Sequence, residues 1–330
     1  MDERTTRGLR VALTIASALA LPLLGVGAGA ATLHIGVLGD SNSDEYRADD
    51  NRGGTYASTT FNWVEILQRL RDVDVGAWGS RAEPRRTGYE YNWARSGAKA
   101  GDLPAQQVGL AQQVRDGKVQ YVILHVGAND FHPASTYRDV YDGTVSGAAL
   151  QQKINSIIAS IRSAIDAVET AGAKVVVTSV PDAGLTPAYQ ITYPDAARRK
   201  VVTDAINVIN SALSSDAAAD ANLVYSDLNV FYQQLSARID AEVNVVVGGE
   251  KIAMLTRGNE PHHVQLDDVS GHPGTVMSAL MANGIFLAAL SQGFGAVVTP
   301  LTDQEMLCIA NIAAAGSCPK RPNPPVLVVN

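Results

Sequence analysis

Cysteine is nearly absent from this chain: its 330 residues contain two, Cys308 and Cys318. No Cys/His spacing of the zinc-binding kind occurs, so neither a metal nor an organic cofactor is expected. The acidic stretch Asp44, Glu45, Asp49, Asp50 lacks the spacing of a calcium loop and reads as a solvated loop. Clusters of lysine and arginine are missing too. With a formal net charge of -7, nucleic acid is a poor partner, because that binding draws its affinity from positive charges gathered against phosphates. There are no internal repeats, which excludes a stacked-repeat architecture. At 46% hydrophobic and 18% charged residues, nothing reads as disordered or fibrous, and one catalytic-sized domain with short appendages is expected.

What is present begins at the N-terminus. Arg4, Arg7 and Arg10 precede an uncharged apolar run from Val11 to Ala31 that ends in Ala28-Gly29-Ala30. This is the layout of a secretory signal with an A-x-A cleavage site, and the run is also long enough for a retained anchor. The first core strand starts near Leu33, which leaves almost no linker to a membrane. A signal peptide over residues 1–30 is therefore expected, with a secreted or periplasmic product and no stable membrane anchor. No cysteine follows the run, which excludes a lipid anchor there. In an oxidising compartment Cys308 and Cys318 can pair, and so short a loop would contribute about 3 kcal/mol by constraining the unfolded chain. Two unpaired thiols are the alternative.

Five short runs rich in Val, Ile and Leu read as buried strands: Leu33 to Leu38, Val73 to Trp78, Tyr121 to Val126, Lys174 to Val180 and Leu223 to Ser226. Helical patterns lie between them. Ile154, Ile157, Ile158, Ile161, Ile165 and Val168 share one face and are followed by Gly172 as a stop; Val202, Ile206, Ile209 and Leu213 form a second stripe. Strands alternating with helices predict an α/β fold, a parallel sheet covered on both faces. Residues 243–266 break the alternation: Val245-Val246-Val247 and Lys251 to Thr256 flank Gly248-Gly249, the pattern of an inserted hairpin. A last helix is expected from about Gly274 to Leu290. The domain would then occupy residues 31–298, and residues 299–330 a tail with a proline-rich end.

Parallel sheets place ligands at the carboxyl ends of their strands, where strand order reverses. The first strand ends in Gly39-Asp40-Ser41-Asn42-Ser43, which brings a hydroxyl to that edge. The third ends in Gly127-Ala128-Asn129-Asp130 and brings an amide. Between them, Asn92 to Ala98 includes Gly97, whose backbone N–H can approach a ligand closely. Near the C-terminus, Asp267-Asp268-Val269-Ser270-Gly271-His272-Pro273 supplies an imidazole at a loop-to-helix junction, since Pro273 disfavours helical geometry at His272. Nucleophilic acyl transfer asks for a hydroxyl, a base, an orienting carboxylate and donors for the oxyanion. All four are present.

In these four blocks the chain resembles the GDSL/SGNH hydrolases, over roughly Leu33 to Leu290. The matching residues are Ser41, Gly97, Asn129 and His272, in the family's order. The resemblance implies a three-layer α/β/α sandwich, flavodoxin-like, with a five-stranded, mostly parallel sheet. It also implies a serine esterase or lipase with Ser41 as nucleophile, His272 as base, and Ser41, Gly97 and Asn129 as the oxyanion hole. The chain departs from the family in one respect: the family places an acid three residues before its histidine, where this chain has Val269. Asp268 is the candidate acid, Asp267 the next, and a Ser-His dyad supported by a backbone carbonyl a further reading.

Other assignments of the same residues are an acyltransferase that passes the acyl group to a sugar or alcohol, and a non-catalytic surface-binding protein of the same fold. The substrate is expected to be a small-molecule, polysaccharide or lipid ester. His262 and His263 read as insertion residues, with substrate contact as the alternative, His125 as a core histidine, and His132, nearer the active edge, as a further candidate substrate contact. Trp63, Trp78 and Trp93, with Tyr89 and Tyr91, read as packing, with a sugar-stacking platform as the alternative.

Overall fold

The computed structural model describes residues 32–48, 52–268 and 270–318. The expected signal peptide, Asp49, Asp50 and the prolines from Pro319 onward lie outside the described residues. The central sheet has five strands, β1 (Leu33–Gly39), β2 (Val73–Asp74), β3 (Tyr121–His125), β4 (Lys174–Thr178) and β5 (Leu223–Ser226). They pair in parallel in the order β2-β1-β3-β4-β5. This is the flavodoxin-like order, and its reversal falls between β1 and β3. The hydroxyl-bearing and amide-bearing turns follow these two strands.

Among the described residues, seven helices of seven residues or more cover the sheet: α1 (Trp63–Leu70), α2 (Leu103–Arg115), α3 (Gly147–Thr170), α4 (Ala196–Ala219), α5 (Leu228–Ser236), α6 (Thr275–Phe294) and α7 (Asp303–Ile309). Side chains alternate across a strand, so each face receives every second residue. One core gathers Leu38, Val122, Leu124, Val175 and Val177 under α2, α3 and α4; the other gathers Ile35, Val37, Ile123 and Val176 under α1, α5, α6 and α7. The result is a three-layer α/β/α sandwich. Of the predicted α3 stripe, Ile154, Ile157, Ile161, Ile165 and Val168 are buried and Ile158 is partly so, and Gly172 follows the last turn. α6 is long and apolar enough to cross a membrane, yet 67% of its most apolar window is buried inside the molecule.

The second predicted strand is shorter than its apolar run. It ends at Asp74, whose Oδ1 accepts from the Gly76 N–H, and Trp78–Gly79 turns away to pair with Gly88–Tyr89. The hairpin is present: β6 (Asn244–Val247) and β7 (Glu250–Arg257) run antiparallel about Gly248-Gly249, and β8 (His263–Gln265) adds in parallel to β7. Beyond Thr299, α7 buries Met306 and Leu307 in the second core, Arg71 pairs with Glu305 at 2.7 Å, and a disulfide joins Cys308 to Cys318.

Asp44 and Glu45 correct the expectation of a solvated acidic loop, because both are buried. Asp44 pairs with Arg86 at 2.7 Å and accepts from the Ser96 N–H; Glu45 accepts from the Tyr89 N–H at 2.8 Å. These partners come from residues 86–96, too far along the chain for a local pattern to show. Burial, with Asp44 and Glu65 nearby, pushes the Glu45 carboxyl up from 4.5 to about 8. The folded state thus holds a proton that the unfolded chain releases, and stability falls as pH rises from about 4.5 to about 8. Glu45→Gln removes that dependence, so denaturant midpoints of variant and wild type should diverge across this interval and run parallel above it. Parallel curves throughout would refute an uncharged Glu45.

Candidate active site

The turn after β1 is held from several directions. Gln106 of α2 accepts from the Gly39 N–H and donates to the Gly39 carbonyl, both at 2.9 Å, extending the hydrogen-bond ladder past the strand end with a side chain. The Asp40 carbonyl accepts from the Ser43 and Asp44 N–H groups, and Asp40 Oδ1 accepts from Asn42. Asn92 donates to the Ser43 carbonyl, while Trp63 Nε1 donates to Ser43 Oγ. Ser41 is therefore fixed at the strand's carboxyl end with its hydroxyl aimed across the crevice, 2.7 Å from His272 Nε2.

His272 is carried by the small sheet. The Leu266 N–H donates to the His272 carbonyl and the Gly274 N–H to the Val264 carbonyl, while Gln265 bridges to Pro273. The insertion thus braces the histidine loop. α6 begins at Thr275 with Gly274 as its cap, one residue after the expected start.

The one-residue departure before His272 resolves locally. Asp268 Oδ1 accepts from the N–H groups of Ser270, Gly271 and His272, at 3.1, 2.7 and 3.2 Å. Gly271 takes a left-handed φ of 63°, which lets the longer loop close without displacing the histidine. Asp268 Oδ2 then lies 2.7 Å from His272 Nδ1. Asp267 is exposed, and among the described residues the carboxylate that hydrogen-bonds and ion-pairs with His272 is that of Asp268. Burial opposes the charge on Asp268, but the hydrogen bonds from His272, with the Arg52 guanidinium at 3.1 Å, hold its carboxyl well below the usual range.

Gly97 has a φ of 83° and open space where a Cβ would stand, so the position calls for glycine by conformation and leaves its face clear. Among the described residues, neither the Ser41 nor the Gly97 backbone N–H is engaged by another group of the chain. Asn129 Nδ2 donates to the Ala98 carbonyl at 3.0 Å, and Asp130 Oδ2 accepts from the Ala100 N–H at 2.9 Å. These two bonds tie the third-strand turn to the Gly97 loop. Burial raises the Asp130 carboxyl to about 6.

The other singled-out residues lie away from this cluster or pack around it. His125 is buried with Nδ1 2.8 Å from Thr178 Oγ1; His262 lies 3.8 Å from Glu250, and His263 Nδ1 is 3.4 Å from the Glu260 carbonyl. His132 caps its own turn through the Ala134 N–H. Trp63 stacks on Phe286, Trp78 meets the edge of Tyr89, and Trp93 packs on α2 over Gly109. No group of three His, Cys, Asp or Glu suited to a metal occurs among the described residues. Arg52, Gln106 and Asp130 escaped the sequence reading. Arg52 and Gln106 carry no motif; Asp130 adjoins Asn129, but local sequence assigns it no role.

The chain shares structural likeness with three solved enzymes. An extracellular lipase from Streptomyces rimosus is 20% identical, with 80% of this chain and 100% of that one covered and a TM-score of 0.41. A carbohydrate esterase of family 3 from Talaromyces cellulolyticus is 17% identical, with coverage of 80% and 100% and a TM-score of 0.41. An acetyl xylan esterase from Geobacillus stearothermophilus is 13% identical, with coverage of 82% and 98% and a TM-score of 0.40. No curated protein matches the sequence. The sequence model of the GDSL-like Lipase/Acylhydrolase family spans β1 through α6, at residues 35–285. The chain belongs to that family and is an ester-cleaving hydrolase.

Proposed function

We propose that the protein is an exported enzyme that hydrolyses carboxylic esters through an acyl-enzyme on Ser41. The observation that carries this reading is the continuous hydrogen-bonded path from Ser41 Oγ through both ring nitrogens of His272 to Asp268, each step 2.7 Å. With Nδ1 protonated and donating to Asp268, Nε2 presents a lone pair to the hydroxyl. Ser41 Oγ attacks the carbonyl carbon as its proton passes to Nε2. The oxyanion is received by the Ser41 and Gly97 N–H groups and Asn129 Nδ2. Collapse expels the alcohol, which takes the proton from His272. Water then attacks the acyl carbon, His272 accepts its proton, and the acid leaves as that proton returns to Ser41. The Cys308–Cys318 disulfide supports an oxidising destination.

A series of 4-nitrophenyl esters from acetate to palmitate tests the reading and ranks acyl lengths. Hydrolysis of at least one ester is expected, with none above background for Ser41→Ala. Asn129→Ala should lose about 100- to 1,000-fold in kcat with KM little changed, because its donor acts on charge that develops in the transition state. Full activity in that variant would remove Asn129 from the oxyanion hole.

A further inference from the structure

A cation stands beside the Asp268–His272 pair. Arg52, in the loop between β1 and α1, has a side chain only 12% exposed. Its Nη1 lies 3.1 Å from Asp268 Oδ2 and 2.8 Å from His272 Nδ1. Its Nη2 donates to Ser96 Oγ at 3.2 Å, next to Gly97, and the guanidinium lies 5.4 Å from the centre of the Tyr46 ring. Nη1, Oδ2 and Nδ1 thus form a closed triangle. A guanidinium keeps its protons at every relevant pH. In the tautomer that catalysis needs, Nη1 and Nδ1 are therefore two donors converging on one carboxylate oxygen.

We propose that Arg52 is a positioning residue for this pair: it fixes Asp268 Oδ2 and sets a positive charge against the imidazolium form of His272. Two effects act in the same direction. A positive charge beside Nδ1 disfavours the imidazolium directly, and the same charge offsets the carboxylate that would otherwise favour it. Among the described residues, the other titratable or charged groups facing His272 differ in position. Tyr46 meets the ring edge at 6.1 Å, Ser41 lies at Nε2, and Arg257 of β7 packs beneath Gly271. On the Ser96 side, Asp44 is engaged by Arg86 and the Ser96 N–H. Arg52 alone of these touches both members of the pair.

The proposal rests on His272 acting as the base, and the test separates the two claims. kcat/KM for a neutral chromogenic ester is measured from pH 4 to 9 in the full chain. Arg52→Gln removes the charge, and the acid limb should move up by about one pH unit, the size expected of a charge at this distance. Arg52→Lys retains the charge, and its limb should stay within about 0.3 unit of wild type, even if loss of the forked contact lowers the plateau. Arg52→Met replaces Arg52→Gln if the latter does not fold. An unmoved or lowered limb in the neutral variant overturns the proposal, as does a limb that rises as far with lysine as with the neutral side chain. Either result leaves the Ser41 reading standing provided wild-type hydrolysis is lost in Ser41→Ala. Ser41→Ala that retains hydrolysis defeats both.

Discussion

Ser41→Ala should lower kcat by about 10⁶-fold, His272→Ala should cost about as much, and the double variant should be scarcely worse than either. The non-additivity follows from the geometry. Ser41 Oγ and His272 Nε2 share one hydrogen bond of 2.7 Å, and the proton that leaves one arrives at the other. Removing either ends the transfer. What remains is the oxyanion hole, which still favours attack by water on a bound ester by about 10³- to 10⁴-fold over solution. The folded state should change little in Ser41→Ala, because the turn is held by the Asp40 carbonyl, Asn92 and Gln106. Single-turnover kinetics with purified variants of matched thermal stability decide the matter. Multiplicative losses in the double variant would mean that the two residues act on different steps.

Asp268→Asn should lower kcat by about 10⁴-fold, whereas Asp267→Asn should stay within about a factor of two of wild type. An asparagine can turn an NH₂ toward Nδ1, which places the ring proton on Nε2 and leaves no lone pair for Ser41. The change also removes the Arg52–Asp268 ion pair at 3.1 Å. Asp267 is exposed, and the cluster does not depend on it. Comparing both variants on one ester at one pH separates Asp268 from a backbone-supported dyad. Equal, small effects would favour the dyad.

The sheet and the helices α3, α4 and α6 were legible from local pattern. Uninterrupted Val/Ile/Leu runs mark strands buried on both faces, and the isoleucine stripe of α3 repeats at helical spacing. The apolar run from Val73 to Trp78 is longer than β2 because Trp78 belongs to the ribbon with Tyr89, a pairing invisible within the run. Ser41, Gly97, Asn129 and His272 were legible because each lies in a short block tied to a strand end or helix start.

The arrangement around those blocks was not. Asp268 and Asp267 are adjacent acids that no local rule distinguishes; the loop's hydrogen bonds to Oδ1 and the left-handed Gly271 select one. Arg52 acts on a residue 216 positions away, and Gln106 completes a strand 67 positions away. Asp44 and Glu45 are charged side chains that pattern assigns to solvent, and they are buried because Arg86 and the Tyr89 N–H come from a distant segment. Periodicity and turn chemistry act over a few residues, so composition and motif are enough for the parallel α/β core and for bringing Ser41 and His272 to its ligand edge. Which carboxylate meets His272, and which cation stands beside it, depends on side chains brought within about 3 Å by chain closure, at separations where local sequence carries no distance information.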